Sequence, residues 1–242
     1  MSAPVVAVLH HLERPFLGHA GAVLRAAGVE LDERDLRRGD ALPALEALDG
    51  ILSLGGEQSV LDIDGEPALA AESALLRAAV ARSVPVLGVC LGAQLLAHAV
   101  GGRVRRRPHR LVAWVDLEAL EGAADDPLLG ALPAGAAGLH FNEDGIEPPP
   151  GAVELLSSPG GGAEAFRVGG CAWGVQFHAE VDEGALEGWY RAWPHALAEA
   201  GVDEAAARAA DVRHLPGQRA LSEALFGGFA RVVVAARARA PR

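Results

Sequence analysis

Short apolar runs alternate with helix-spaced apolar positions through the first hundred residues. Residues 4–9 (PVVAVL), 50–54 (GILSL) and 84–89 (VPVLGV) are nearly continuous apolar runs of strand length. Runs of this kind predict strands buried on both faces of a sheet. Between the first two, Leu17, Ala20, Val23, Leu24 and Ala27 share one helical face, with Gly28 as a stop. A second helix is predicted from Pro67 to about Ser83, with Leu69, Leu76 and Val80 inward. A third covers Leu91–Val100 and stops at Gly101-Gly102. Strands and helices alternating at these lengths predict an α/β fold, with a mostly parallel sheet and helices on both faces.

After Gly102 the rhythm changes. Short apolar runs at 111–115, 139–141, 153–156, 164–168 and 172–177 are separated by Gly/Pro-rich turns, which predicts antiparallel additions to the sheet. From Asp182 the pattern is helical again. Leu186, Trp189, Tyr190, Trp193 and Leu197 form one stripe, and Leu221, Leu225, Phe229, Val232 and Ala236 another. No repeat or long linker interrupts the chain. The expected organisation is one domain over 1–242, with a core at about 4–181 and a helical C-terminal extension at about 182–242.

Composition narrows the chemistry. The chain has 242 residues and a formal net charge of −11, which disfavours nucleic acid or an anionic membrane as partner. No apolar stretch approaches the roughly 20 residues of a membrane span, and the first residues lack the basic and long apolar regions of a signal peptide. A cytoplasmic protein is expected. All 21 basic residues are arginine. A Walker A loop and a pyridoxal phosphate Schiff base both require lysine, so neither can form. Two cysteines, Cys90 and Cys171, are too few for a disulfide scaffold.

Cys90 sits in Gly88-Val89-Cys90-Leu91-Gly92, where a predicted strand meets a predicted helix. A nucleophile two residues from a glycine on each side is the elbow pattern of a tight strand-to-helix turn. The thiol then lies at a helix N-terminus, which favours its anionic form, and the Leu91 N–H can face a developing oxyanion. A buried structural cysteine in a Gly-rich turn fits the same five residues. The second element is Gly174-Val175-Gln176-Phe177-His178-Ala179-Glu180, at the end of another apolar run. His178 and Glu180 are two apart, so an extended chain places them on one face, where the carboxylate can orient the imidazole. An ordinary strand end accounts for that pair when it is taken alone. Together the two elements predict a Cys/His/Glu site at the carboxyl ends of parallel strands.

Gly88–Ala97 (GVCLGAQLLA) with Gly174–Glu180 (GVQFHAE) resembles the class I, or triad, glutamine amidotransferases. The likeness extends to Leu54-Gly55-Gly56 with Val60 and Asp62, to Glu66-Pro67 and Glu72, and to residues 164–167 (EAFR). The helical tail is similar to stand-alone members resembling the amidotransferase domain of GMP synthetase. The resemblance implies a flavodoxin-like fold and hydrolysis of L-glutamine to glutamate and ammonia. Cys90 would be the nucleophile, His178 the acid and base, and Glu180 its orienter. Gly55, Gly56 and Leu91 would form the oxyanion hole, and Gln94, Gly92, Asn142 and Asp144 would bind substrate. It implies no cofactor and no metal. Ammonia would pass to an acceptor on a separate synthetase subunit, since no nucleotide-binding module is recognisable here.

Five positions depart from the family pattern. Glu57 replaces the usual Pro after Gly-Gly and is expected to face solvent. Asn142-Glu143-Asp144 stands for His-Gly-Asp, Ala179 for Pro, and Glu164 for Gln. Hydrolysis of another γ-glutamyl compound and a non-catalytic subunit of the same fold are the alternative readings. Arg103, Arg105, Arg106, Arg107 and Arg110 are expected on a solvated hairpin face. His10, His11 and His19 lack metal-ligand spacing, Cys171 is expected in the core, and Trp189, Tyr190 and Trp193 on the inner face of a helix. Oligomeric state has no marker in the sequence.

Overall fold

A computed structural model describes residues 2–160 and 162–239. Met1, Gly161 and residues 240–242, included in the expected 1–242 span, lie outside the described residues. Five strands run parallel: β1 (Val5–His11), β2 (Glu30–Asp35), β3 (Gly50–Gly56), β4 (Val86–Val89) and β10 (Ala172–Val175). Antiparallel β9 (Ala163–Val168), β8 (Val153–Ser157) and the two-residue β6 (Glu118–Ala119) extend one edge. The order across the eight strands is β2-β1-β3-β4-β10-β9-β8-β6.

Alternation along each buried strand divides the core between two faces. Val6, Val8, Leu52, Leu54, Leu87 and Val89 meet α1 (Gly18–Ala26) and the second half of α6 (Glu204–Arg239). Ala7, Leu9, Ile51 and Val86 meet α2 (Pro67–Ala81) and α3 (Leu91–Ala99). The fold is therefore the α/β fold implied by the sequence, with three differences of detail. β2 (ELDERD) has no apolar run because it is an edge strand, where charged side chains block further pairing. The runs at 111–115 and 139–141 are not additions to the main sheet. They belong to β5 (Arg103–Asp116) and β7 (Ala137–Glu147), a separate two-stranded ribbon. The last stretch of α6 buries Leu221, Leu225, Phe226, Phe229, Ala230 and Val233 and forms a layer of the core.

Between ribbon and sheet lie α4 (Glu183–Ala192) and the single turn α5 (Ala196–Glu199). The first half of α6 is fastened there by Asp211, which accepts hydrogen bonds from Trp114 Nε1 at 2.9 Å and Tyr190 Oη at 3.1 Å. Burial beside that carboxylate holds the Tyr190 hydroxyl well above its ordinary pKa. Pro216 lies inside α6 where these two environments meet, and removes one helical N–H donor. Phe229→Ala should lower the unfolding free energy by about 3–5 kcal/mol, whereas Val234→Ala, on the exposed face, should change it by less than about 0.5 kcal/mol. Urea titrations of the two variants check this.

Candidate active site

Backbone geometry at Cys90 follows from its glycine neighbours. Cys90 caps α3 with φ 52° and ψ −107°, a left-handed conformation that costs a non-glycine residue about 1–3 kcal/mol. The strain is held because β4 and α3 fold back closely. A Cβ on Gly92 would lie 2.1 Å from the Ser53 carbonyl oxygen, and one on Gly88 would lie 2.5 Å from the Gly92 oxygen. Neither position admits a side chain. Gly92 is thus turned toward Ser53, away from the cavity above Cys90, and its observed role is close packing. The Cys90 N–H donates to the Val175 carbonyl at 2.8 Å, tying the turn to β10.

The segment after β10 brings His178 and Glu180 to Cys90. His178 Nδ1 and Glu180 Oε1 are 2.7 Å apart, both buried. The remaining face of the ring is turned to Cys90. Burial alone would lower the ring's pKa, but the charges of Glu180 and Cys90 outweigh it and push it up to about 10. Its position between Glu180 and Cys90 thus favours the protonated ring. Three bonds from other elements hold the segment. The His178 N–H donates to the Leu139 carbonyl at 2.8 Å, Gln218 of α6 donates to the His178 carbonyl at 2.6 Å, and the His19 N–H donates to the Glu180 carbonyl at 2.9 Å.

Gly55 and Gly56, at the end of β3, pass directly beside this pair. A Cβ on Gly55 would lie 2.7 Å from the His178 ring, and one on Gly56 would lie 2.5 Å from His11 Cβ. Leu91 opens α3, so its N–H is one of the free donors of a helix N-terminus. Beneath the loop is a buried network that joins Glu72, one of the positions shared with the family pattern, to His11 and Ser53. Glu72 accepts from Ser53 Oγ at 2.6 Å and pairs with His11 Nε2 at 2.6 Å. Burial pulls the His11 pKa down, yet Glu72 overcomes this and holds it above the ordinary value. The His11 ring also meets the backbone of Leu54 and Gly55, so the network braces the loop from below.

A cavity of about 410 Å³ opens above Cys90. Gln94, Asn142 and Asp144 line it and are buried. Gln94 Nε2 lies 3.4 Å from the Asp144 carbonyl, Asn142 Nδ2 is 3.0 Å from His140 Nδ1, and Asp144 accepts from Ser59 Oγ at 2.6 Å. His140 in turn pairs with Glu164 at 2.9 Å, a buried partner of the pocket wall. Glu57 is exposed and pairs with Arg37 at 3.1 Å, but it also lines the cavity, so it stands at the rim rather than wholly in solvent.

The cluster of arginines lies on the β5–β7 ribbon. Arg105 pairs with Glu147, Arg106 with Glu143 and Asp144, and Arg110 with Glu143 and Glu199. Cys171 is half-buried in the turn before β10 and is not a core residue; partial burial raises its pKa. Trp189 and Tyr190 are buried on α4 as the stripe predicts, and Trp189 together with Trp193 also lines the cavity. Among the described residues, no group of three or more His, Cys, Asp or Glu is placed to hold a metal ion. Nor is any described helix long and apolar enough to cross a membrane.

The class-I glutamine amidotransferase family matches residues 24–188, more than half of the chain. The chain belongs to that family. Its members are cysteine-dependent amide hydrolases. Among relatives of this amidotransferase domain, one subunit of the glutamine-hydrolysing GMP synthase of Haloarcula marismortui is 40% identical over 100 residues, covering 40% of this chain and 52% of that protein. The GMP synthase of Aeropyrum pernix is 33% identical over 144 residues, covering 59% of this chain but 26% of its own length. The chain thus spans between about a quarter and a half of these curated relatives. A crystal structure of a glutamine amidotransferase from Methylobacillus flagellatus is 28% identical and superposes with a TM-score of 0.82, covering 96% of each chain.

The raised pKa of His178 makes stability depend on pH. Folded protein holds this proton more tightly than unfolded chain does. The contribution is therefore complete below about pH 6.5 and is lost as pH rises toward about 10. Glu180→Gln removes one of the charges that raise the pKa, so the ring should deprotonate at lower pH by NMR titration. Its unfolding free energy should also fall less steeply than that of the wild type across the same window.

Proposed function

We propose that the protein hydrolyses L-glutamine to glutamate and ammonia through a γ-glutamyl thioester on Cys90. What carries the reading is the meeting of a strained, helix-capping cysteine with a buried imidazole–carboxylate pair at the carboxyl ends of β4 and β10. Family membership supports it. Cys90 Sγ attacks the γ-carbonyl carbon, and the N–H groups of Leu91 and of the Gly55-Gly56 loop take up the negative charge. His178 gives its proton to the departing nitrogen, and the C–N bond breaks as the S–C bond remains. The neutral ring then accepts a proton from water, whose oxygen attacks the thioester and releases glutamate and the Cys90 sulfur. Glu180 keeps the ring oriented and stabilises its cationic form.

Gln94, Asn142 and Asp144 bind the α-amino acid end of the substrate, which their position in the cavity wall favours. In this reading ammonia passes to an acceptor held by a separate synthetase subunit. The name of the Haloarcula relative, a subunit rather than a whole synthase, supports that division.

Cys90→Ala should leave the unfolding transition in place and lower glutamate release from glutamine by at least about a thousandfold. The diazoketone analogue of glutamine should label the wild type at Cys90 and leave the variant unlabelled by mass spectrometry. Glutamine turnover equal to wild type in Cys90→Ala would overturn the proposal.

A further inference from the structure

The cavity has a second wall, which is aromatic where that of Gln94, Asn142 and Asp144 is polar. Phe16, Phe141, Trp189 and Trp193 line it together. Trp189 meets the Phe16 ring at 5.9 Å, Phe141 at 5.5 Å and Trp193 at 6.2 Å between centroids, each near edge-to-face. The Trp189 ring also stands edge-on to His178, 4.7 Å away. His178 is the group that protonates the leaving nitrogen in the glutaminase reading, on which this inference rests. A substituent on that nitrogen would therefore continue past the His178 ring onto the aromatic wall. At about 410 Å³ the cavity lies in the range that holds a drug-sized ligand, well beyond the needs of one small amino acid. Its two guanidiniums are already engaged, Arg106 by Glu143 and Asp144, and Arg110 by Glu143 and Glu199. The wall thus suits an aromatic ring rather than an anionic tail.

We propose that the site accepts γ-glutamyl amides of aromatic amines, with the aromatic group seated against Trp189, Trp193, Phe16 and Phe141. The reaction balances as for glutamine. The γ-carbonyl to nitrogen bond breaks, the Cys90 thioester forms, and the amine leaves with the His178 proton in place of ammonia. Water then releases glutamate.

Purified protein should be given L-glutamine, γ-glutamyl methylamide and γ-glutamyl benzylamide, with Cys90→Ala alongside. We expect kcat/KM for the benzylamide to exceed that for the methylamide by about tenfold or more. Trp193→Ala should lower kcat/KM for the benzylamide by about tenfold more than for the methylamide, which removes that preference. If Trp193→Ala does not fold, Phe16→Leu is expected to reduce the preference in the same way. Cys90-dependent glutamine hydrolysis with benzylamide turnover at or below that of methylamide would overturn this inference alone. Absence of Cys90-dependent turnover on all three substrates would overturn the glutaminase reading and this inference together.

Discussion

The contact between Gly92 and the Ser53 carbonyl sets the spacing on which the rest of the site depends. It lets α3 descend onto β3 until the turn at Cys90 has no relaxed conformation left. The strained residue is then fixed by its neighbours, as strain at functional positions generally is. From that fixed point the surroundings follow. β3 brings the Gly55-Gly56 loop alongside, and β10, paired in register with β4, delivers the following segment to the thiol. Parallel strands end on one edge, so separate stretches of chain reach one crevice without long loops.

Polar groups buried around that crevice are arranged in closed pairs. His11 with Glu72, His140 with Glu164, and His178 with Glu180 are three imidazole–carboxylate contacts at 2.6–2.9 Å. Each member alone would be costly in so dry a setting, and pairing offsets part of that cost. Only the third touches the cysteine. The other two set backbone and wall, and so act on the chemistry through position. Their presence also explains how a chain of net charge −11 keeps several buried carboxylates near its centre.

The main sheet and its helices were legible because fully buried strands must be apolar at every position, and the helices facing them must be apolar every third or fourth. Cys90, His178 and Glu180 were legible because steric need writes glycine around the elbow and extended spacing aligns the pair. Less of the pocket could be read. β2 carries no periodic signal, since backbone bonds to β1 hold it while its side chains meet water. Runs at 111–115 and 139–141 looked like sheet strands because local pattern says nothing of which partner a strand will choose. Gly92 reads as part of a binding motif, yet its necessity is steric. His11 and Trp189 became visible only when tertiary structure set one beneath the oxyanion loop and the other against His178.

Gln218 reaches from α6 to the His178 carbonyl, and the same helix covers the face of the sheet that includes Val6 and Val8. β1 and β3 leave the ribosome well before α6. In that interval α1 is the helix that covers this face, and the His178 carbonyl lacks its bond from Gln218. The site is therefore completed only once α6 follows, by packing that brings positions as far apart as Val6 and Val233 into one face of the core. Topology of that kind slows folding and lengthens exposure to aggregation. A nascent chain that has reached Cys90 holds the thiol without its setting, because His178, Glu180 and Gln218 all lie downstream.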